Sequence, residues 1–243
     1  MSNTAVIVPA GITLVGMVFL FFFLKNRLKA TTAKSTIIKS MVSLCFMLVA
    51  FSSFFCGNGT KSDMIFRALI SGGLLFGLLG DIWLDLKYAH VESGSVYTYA
   101  GFCCFLAGHI FYDSALIFRY QTSDRPDAVI LPIAIGLFFA VFIIFTEKLL
   151  KVEYGSYKKT VVVYSFMLAS FVAFAIGYAR LASFKDISLN FMAAGSVLFA
   201  VSDFILNGTY FGHGKNRPVD IAVNHITYYI AQFAIAFSLS LLK

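Results

Sequence analysis

Asp81, in Gly80-Asp81-Ile82-Trp83-Leu84, and Asp203, in Ser202-Asp203-Phe204-Ile205-Leu206, are each embedded in otherwise apolar sequence. An ionisable side chain at such depth costs about 3 kcal/mol to insert, and it faces a protein interior or a wet cavity rather than lipid. Carboxyl groups placed this way serve chemistry that moves protons, either catalysis or proton-coupled transport. A helix-end aspartate can also snorkel to the headgroups or lock two helices through a lysine; two in matched settings favour a functional pair.

Other polar residues converge on the same level. Asn224, His225, Tyr228, Tyr229 and Gln232 lie near the start of the last apolar run. Positions 225, 228, 229 and 232 have the i, i+3, i+4, i+7 spacing of one helix face, so this stripe points inward. Lys39 stands in the first turn of the second apolar run, and His109 and Tyr112 lie somewhat deeper in the fourth. Together they predict a polar cavity, or else interhelical hydrogen-bond glue. Asp85, four residues after Asp81 and before Lys87, reads as a mouth or cap residue. His90 and His213 fall in loops, and the absence of an HExxH or comparable ligand pattern argues against a metal or other cofactor. Serine-triad catalysis lacks a GxSxG elbow. Gly77-Leu78-Leu79-Gly80-Asp81 is similar to the motif of intramembrane aspartyl proteases, but the order of the two aspartates is wrong and no Pro-Ala-Leu motif follows.

The elements that must position these residues are membrane helices. Of 243 residues, 59% are hydrophobic and 13% charged, with a mean hydropathy of +0.84, so the solvent is mostly lipid. No polar stretch is long enough for a separate soluble domain, and residues 1–243 read as a single transmembrane domain of the all-α class. Apolar runs place about eight spans near Ala5–Leu24, Ile37–Phe55, Met64–Leu84, Thr98–Phe118, Ala128–Thr146, Thr160–Ala182, Ile187–Leu206 and Val219–Leu242. Hydrocarbon requires every backbone amide to be bonded within its segment, which selects helices. Cys56-Gly57-Asn58-Gly59 and Asn207-Gly208 supply turn chemistry at span ends. The 28 phenylalanines read as packing bulk and the four cysteines as inert fillers.

The net charge of +7 comes from short basic clusters between spans, a topological signal rather than a nucleic-acid surface. Loops after spans one, three, five and seven carry twelve of the nineteen basic residues. They are expected in the cytoplasm, with both termini outside and the site opening toward the cytoplasmic leaflet. Three sequence pairs repeat in order: Cys45–Phe51 with Ser165–Phe171, Gly80–Leu84 with Ser202–Leu206, and His109–Tyr112 with His225–Tyr228. They fit a four-plus-four parallel duplication with the aspartates as symmetry mates, and equally chance likeness among apolar helices.

The segments LLFGLLGDIWLDL (Leu74–Leu86), GFCCFLAGHIFY (Gly101–Tyr112), GSVLFAVSDFIL (Gly195–Leu206) and ITYYIAQFAIAFSL (Ile226–Leu239) resemble the YhhN-type membrane proteins, which include the lysoplasmalogenases. Members often have Pro after the lysine where this chain has Ser40. The resemblance implies hydrolysis of the vinyl ether bond of lysoplasmalogen to a fatty aldehyde and a glycerophospho-base. That bond is cleaved by protonating carbon to an oxocarbenium ion that water then attacks. Asp81 and Asp203 would divide the roles of acid and stabilising base, as glycosidase carboxylates do. Lys39 would meet the phosphate of the lysophospholipid substrate, with its chain among the aromatic side chains. Tyr112 and Asn224 would line the substrate site, and Tyr228, Tyr229 and Gln232 would order water or the ether oxygen. His109 and His225 would hydrogen-bond the carboxylates. The alternative is a proton-coupled small-molecule transporter or lipid flippase using the same aspartates.

Overall fold

Each predicted span forms a helix. The computed structural model describes residues 4–56, 60–120, 125–212 and 216–242. Among them are α1 (Thr4–Arg27), α2 (Ala33–Cys56), α3 (Lys61–Ala89), α4 (Gly94–Tyr120), α5 (Asp127–Leu150), α6 (Lys158–Leu181), α7 (Ile187–Phe211) and α8 (Pro218–Ser238), which continues into a 3-10 turn at Leu239–Leu241. Seven are long and apolar enough to cross a membrane, so the chain is a multi-pass membrane protein. In α8 the inward polar stripe lowers the hydropathy, while its 21 residues still reach about 30 Å. The Gly57-Asn58-Gly59 turn, His213 and Lys215 lie outside the described residues.

Several helices outrun the apolar stretches that announce them. α3 continues five residues past Leu84 and α7 five past Leu206. Asp81 and Asp203 therefore each stand eight residues before their helix ends, about 12 Å deep, rather than three. Hydropathy undercounts these turns because they carry Asp85, Lys87 and Asn207, whose polar groups turn toward protein: Asp85 to Lys39, Lys87 over the Tyr210 ring and Asn207 to Tyr154. Asn207-Gly208 is accordingly helix and not a turn: the Asn207 amide donates to the Tyr154 hydroxyl at 3.2 Å. Ser40 likewise leaves α2 uninterrupted, its hydroxyl bonded to the Thr36 carbonyl at 3.0 Å. Polar caps close other ends, Thr60 with Asp63 at α3 and Asp186 at α7.

Helices pair consecutively as hairpins, α1 with α2, α3 with α4, α5 with α6 and α7 with α8. α2 packs on α3 as α6 packs on α7, and α8 packs on α2 as α4 packs on α6. These neighbour relations are those of two four-helix halves exchanged by a twofold operation. The halves close differently, however. α8 also brings its backbone close to α1 and α3, whereas α4 meets α7 through side-chain rings, such as His109 on Phe199 at 4.9 Å, without a comparable backbone approach to α5 or α7 among the described residues. Phe23, Phe46, Tyr229 and Phe233 fill the first half; the second is left with space between α5–α6 and α7.

The tightest pairing, α3 with α4, depends on glycine at the crossing. A Cβ at Gly108 would stand 3.1 Å from the Gly73 carbonyl oxygen. At the end carrying Lys25, Lys34 and Lys148, here termed the basic end, the α5–α6 connection folds over α7. The Glu153 amide donates to the Phe211 carbonyl at 2.9 Å, and Lys158 pairs with Glu147 at 2.5 Å.

Candidate active site

Polar side chains collect at two places in the basic half of the bundle. The first lies where α2, α3 and α8 meet. Lys39 Nζ is 3.2 Å from Asp81 Oδ1 and 3.2 Å from Asp85 Oδ1, and it also donates to the Asp81 carbonyl at 3.3 Å. Asp81 Oδ2 accepts from the Ser43 hydroxyl at 2.7 Å and the Tyr228 hydroxyl at 2.9 Å. The Tyr229 hydroxyl sits 3.1 Å from Ser43 Oγ and 3.3 Å from the Lys39 carbonyl. Ser43 is one turn beyond Lys39 and Asp85 one turn beyond Asp81, so two helix faces match each other group for group. Lys39, Asp81 and Asp85 are all at least 96% buried. Burial of charge is tolerable here because every ion has a counter-ion, and Lys39 and Asp81 take further hydrogen bonds.

The second lies where α4, α6 and α7 meet. The Tyr164 hydroxyl donates to Asp203 and lies 3.2 Å from His109 Nε2. Tyr164 is 121 residues after Ser43, within the 120–122 offsets of the repeated segments on the same helices, so each aspartate takes a hydroxyl from the second helix of its own half. The companions differ: Asp81 faces a lysine, while no cation stands within ion-pair distance of Asp203 among the described residues.

Between the two places lies an aromatic layer. Phe199 meets the Tyr228 ring edge-on at 5.5 Å and the His109 ring at 4.9 Å, and Phe105 meets Tyr228 at 5.9 Å. The expected carboxylate pair is therefore two separate centres, since no hydrogen bond joins Asp81 to Asp203. A polar relay runs partway across: the Gln232 amide donates to Tyr228 at 2.9 Å and its carbonyl accepts from Tyr112 at 3.1 Å. The Tyr112 ring lies 6.0 Å from that of His109.

Asp203 and Tyr164 look into a cavity of about 550 Å³ in the incompletely closed half, large enough for a lipid-sized ligand. Its wall runs from Thr160 to Arg180 along α6, about 30 Å of helix. Phe102, Phe105, Phe139, Leu168 and Tyr210 contribute apolar surface, and Asp203 is its one carboxylate. The slot is long and largely apolar, with the Asp203 carboxyl and the Tyr164 hydroxyl in its wall.

Several assignments change in this light. Lys39, expected to meet a phosphate, is committed to two carboxylates, which a buried ammonium needs more than an external anion. Asp85 is no mouth residue but a buried partner of Lys39, with Arg27 3.8 Å away. Asn224 is taken up structurally: its amide donates to the Ser202 carbonyl at 2.8 Å and the Ser202 hydroxyl donates back at 3.2 Å, clamping α7 to α8. His225 hydrogen-bonds no carboxylate among the described residues and packs edge-on against Phe23 at 4.9 Å; His109 reaches Asp203 through Tyr164. Tyr228, Tyr229 and Gln232 point inward as the stripe required, and Tyr112 is buried against them from α4. Ser43, Tyr164 and Arg27 were not singled out by sequence. The spacing of Ser43 from Lys39 could have flagged it, whereas a tyrosine inside an aromatic-rich span gives no signal.

The sequence profile of the YhhN family matches residues 34–239, from the start of α2 through α8. The chain belongs to the YhhN family. That match includes both polar centres and every cavity-lining helix, while Arg27 and the rest of α1 precede it. No curated protein and no solved structure matches the chain significantly.

Proposed function

We propose that this YhhN-family protein is a lysoplasmalogenase, hydrolysing the vinyl ether of a single-chain lysophospholipid. The supporting observation is Asp203, held by Tyr164 in the wall of a long apolar cavity. Family membership makes this enzyme class the leading reading, and the cavity supplies room for the chain. The hydrocarbon tail lies along α6, and the glycerophospho end points to the basic end, the cytoplasmic one if the chain follows the positive-inside bias.

In this reading Asp203 is the acid. Its carboxyl proton passes to the vinyl carbon one removed from the ether carbon, giving an oxocarbenium ion beside a carboxylate that stabilises it. Water adds to the carbon bearing oxygen and returns its proton to Asp203. The resulting hemiacetal collapses to fatty aldehyde and the free glycerol hydroxyl, so one vinyl ether and one water are consumed and no cofactor is required. Tyr164 holds the acid in place and His109 orients Tyr164. Asp81, which does not line the cavity, acts as a positioning residue through Tyr228, Gln232 and Tyr112.

Purified protein in detergent, given lysoplasmalogen and no ion gradient, should release fatty aldehyde. Folded protein that releases none would refute the hydrolase and leave proton-coupled transport, which forms no covalent product, as the better account.

A further inference from the structure

With Lys39 neutralised, the site still gathers an excess of positive charge. Arg27, Lys39 and Lys87 supply three cations there against the two carboxylates of Asp81 and Asp85. Lys87 has no carboxylate within ion-pair distance among the described residues. Its ammonium lies 3.5 Å above the centre of the Tyr210 ring and 4.8 Å from that of Tyr88. The Arg27 guanidinium lies 4.5 Å from the same Tyr88 ring, so the two cations flank one tyrosine. The Arg27 side chain is 8% exposed, and its Nη1 stands 3.8 Å from Asp85 Oδ1, an ion pair too long for a hydrogen bond; Nη1 donates no hydrogen bond among the described residues. A guanidinium with hydrogen-bonding capacity left over, beside a lysine without an ion-pair partner, suits an added anion.

The place of these cations gives the anion its meaning. Tyr210 lines the cavity that holds Asp203. It lies seven residues, two turns, beyond Asp203 on the same face of α7, about 10 Å along the helix. In a lysoplasmalogen five bonds separate the vinyl ether oxygen from phosphorus, roughly 6 Å when extended. A charge-assisted contact of about 2.8 Å from phosphate oxygen to nitrogen nearly completes the distance. We propose that Lys87, with Arg27 beside it, binds the phosphate of the single-chain lipid at the cavity mouth and thereby sets the register of its reacting bond on Asp203. This rests on the hydrolase reading but predicts binding selectivity that needs no turnover.

The test uses a saturated 1-alkyl lysophosphocholine, which has no vinyl bond to cleave, the matching 1-alkylglycerol, and inorganic phosphate. Lipid retained by the purified full-length protein is quantified, with fluorescence of Trp83, the only tryptophan and one turn before Lys87, as a second readout. Wild type should retain the phosphate-bearing lipid about tenfold better than the alkylglycerol, and inorganic phosphate alone should not compete at equal concentration. Lys87→Met should abolish the preference while leaving alkylglycerol binding unchanged, Arg27→Met should reduce it, and Lys87→Arg should restore it. A Lys87→Met protein with the wild-type preference would overturn the proposal, as would equal competition by inorganic phosphate. Failure of wild type to retain either lipid would instead overturn the tail cavity, and the proposed function with it.

Discussion

Replacing Asp203 by asparagine preserves the side chain's shape and removes its transferable proton. The carbonyl of the amide can still accept the Tyr164 hydroxyl, and no cation faces Asp203 to be orphaned, so stability should change by no more than about 1 kcal/mol. A positioned general acid is worth about 10²–10⁴ in rate, or about 2.7–5.5 kcal/mol of barrier at about 1.36 kcal/mol per decade. Asp81→Asn should do the reverse. It takes from Lys39 one of two carboxylates at 3.2 Å and weakens the bonds from Ser43 and Tyr228. That should cost about 2–3 kcal/mol of stability and slow turnover by no more than about tenfold, since Asp81 is off the cavity wall. Aldehyde release and thermal unfolding, measured on both variants, separate these outcomes. An Asp203→Asn enzyme at wild-type rate would refute the role of Asp203. An Asp81→Asn enzyme that is inactive yet as stable as wild type would restore a shared acid-base pair.

Lys39→Met strands Asp81 and Asp85 in a buried site without their shared cation and should destabilise the protein by about 3–5 kcal/mol; adding Asp85→Asn should recover part of that loss, and thermal unfolding of the two variants measures both. Asn224→Ala breaks the α7–α8 clamp and should lower stability by about 1–3 kcal/mol with KM for the lipid unchanged, because the amide serves Ser202 and not substrate. Leu168→Trp places a large ring in the cavity and should weaken retention of the saturated ether lipid while leaving the unfolding temperature near that of wild type. Gly77→Ala would set a Cβ 2.7 Å from the Gln232 amide nitrogen; displacement of that amide should slow aldehyde release without changing lipid retention.

The helices were legible because lipid demands long apolar runs, and the inward stripe on α8 because helical spacing leaves a membrane bundle one place to put polar groups. What escaped depends on which polar group finds which partner. Hydropathy ended α3 at Leu84 and put Asp85 at the surface, but the helix continues and Lys39 holds Asp85 inside. Lys39 resembled a ligand for phosphate only while its two carboxylate partners were out of sight. Asp81 and Asp203 looked like mates, and their environments are indeed parallel in having a hydroxyl from α2 or α6. The sequence carries no mark of the aromatic layer between them or of the gap beside α5, because both arise from how the halves pack rather than from any local pattern.

That gap explains why two matched aspartates have unlike work. In the closed half, aromatic side chains occupy the interior, and a carboxylate there persists by pairing with Lys39 and taking bonds from two other helices, α2 and α8. Such a cluster is weak evidence of added stability, since well-packed apolar residues could do as well; what it adds is a fixed register between α2, α3 and α8. In the open half, α5 and α6 stand off from α7, and Asp203 keeps only a phenol for company, leaving one face of its carboxyl to the cavity. α8 connects the two, because Tyr228 bonds Asp81 while Gln232, one turn on, bonds both Tyr228 and Tyr112 beside His109. In the proposed hydrolase an ionic centre would stand behind an accessible carboxyl: the first would hold the helices in register, and the second would meet the substrate.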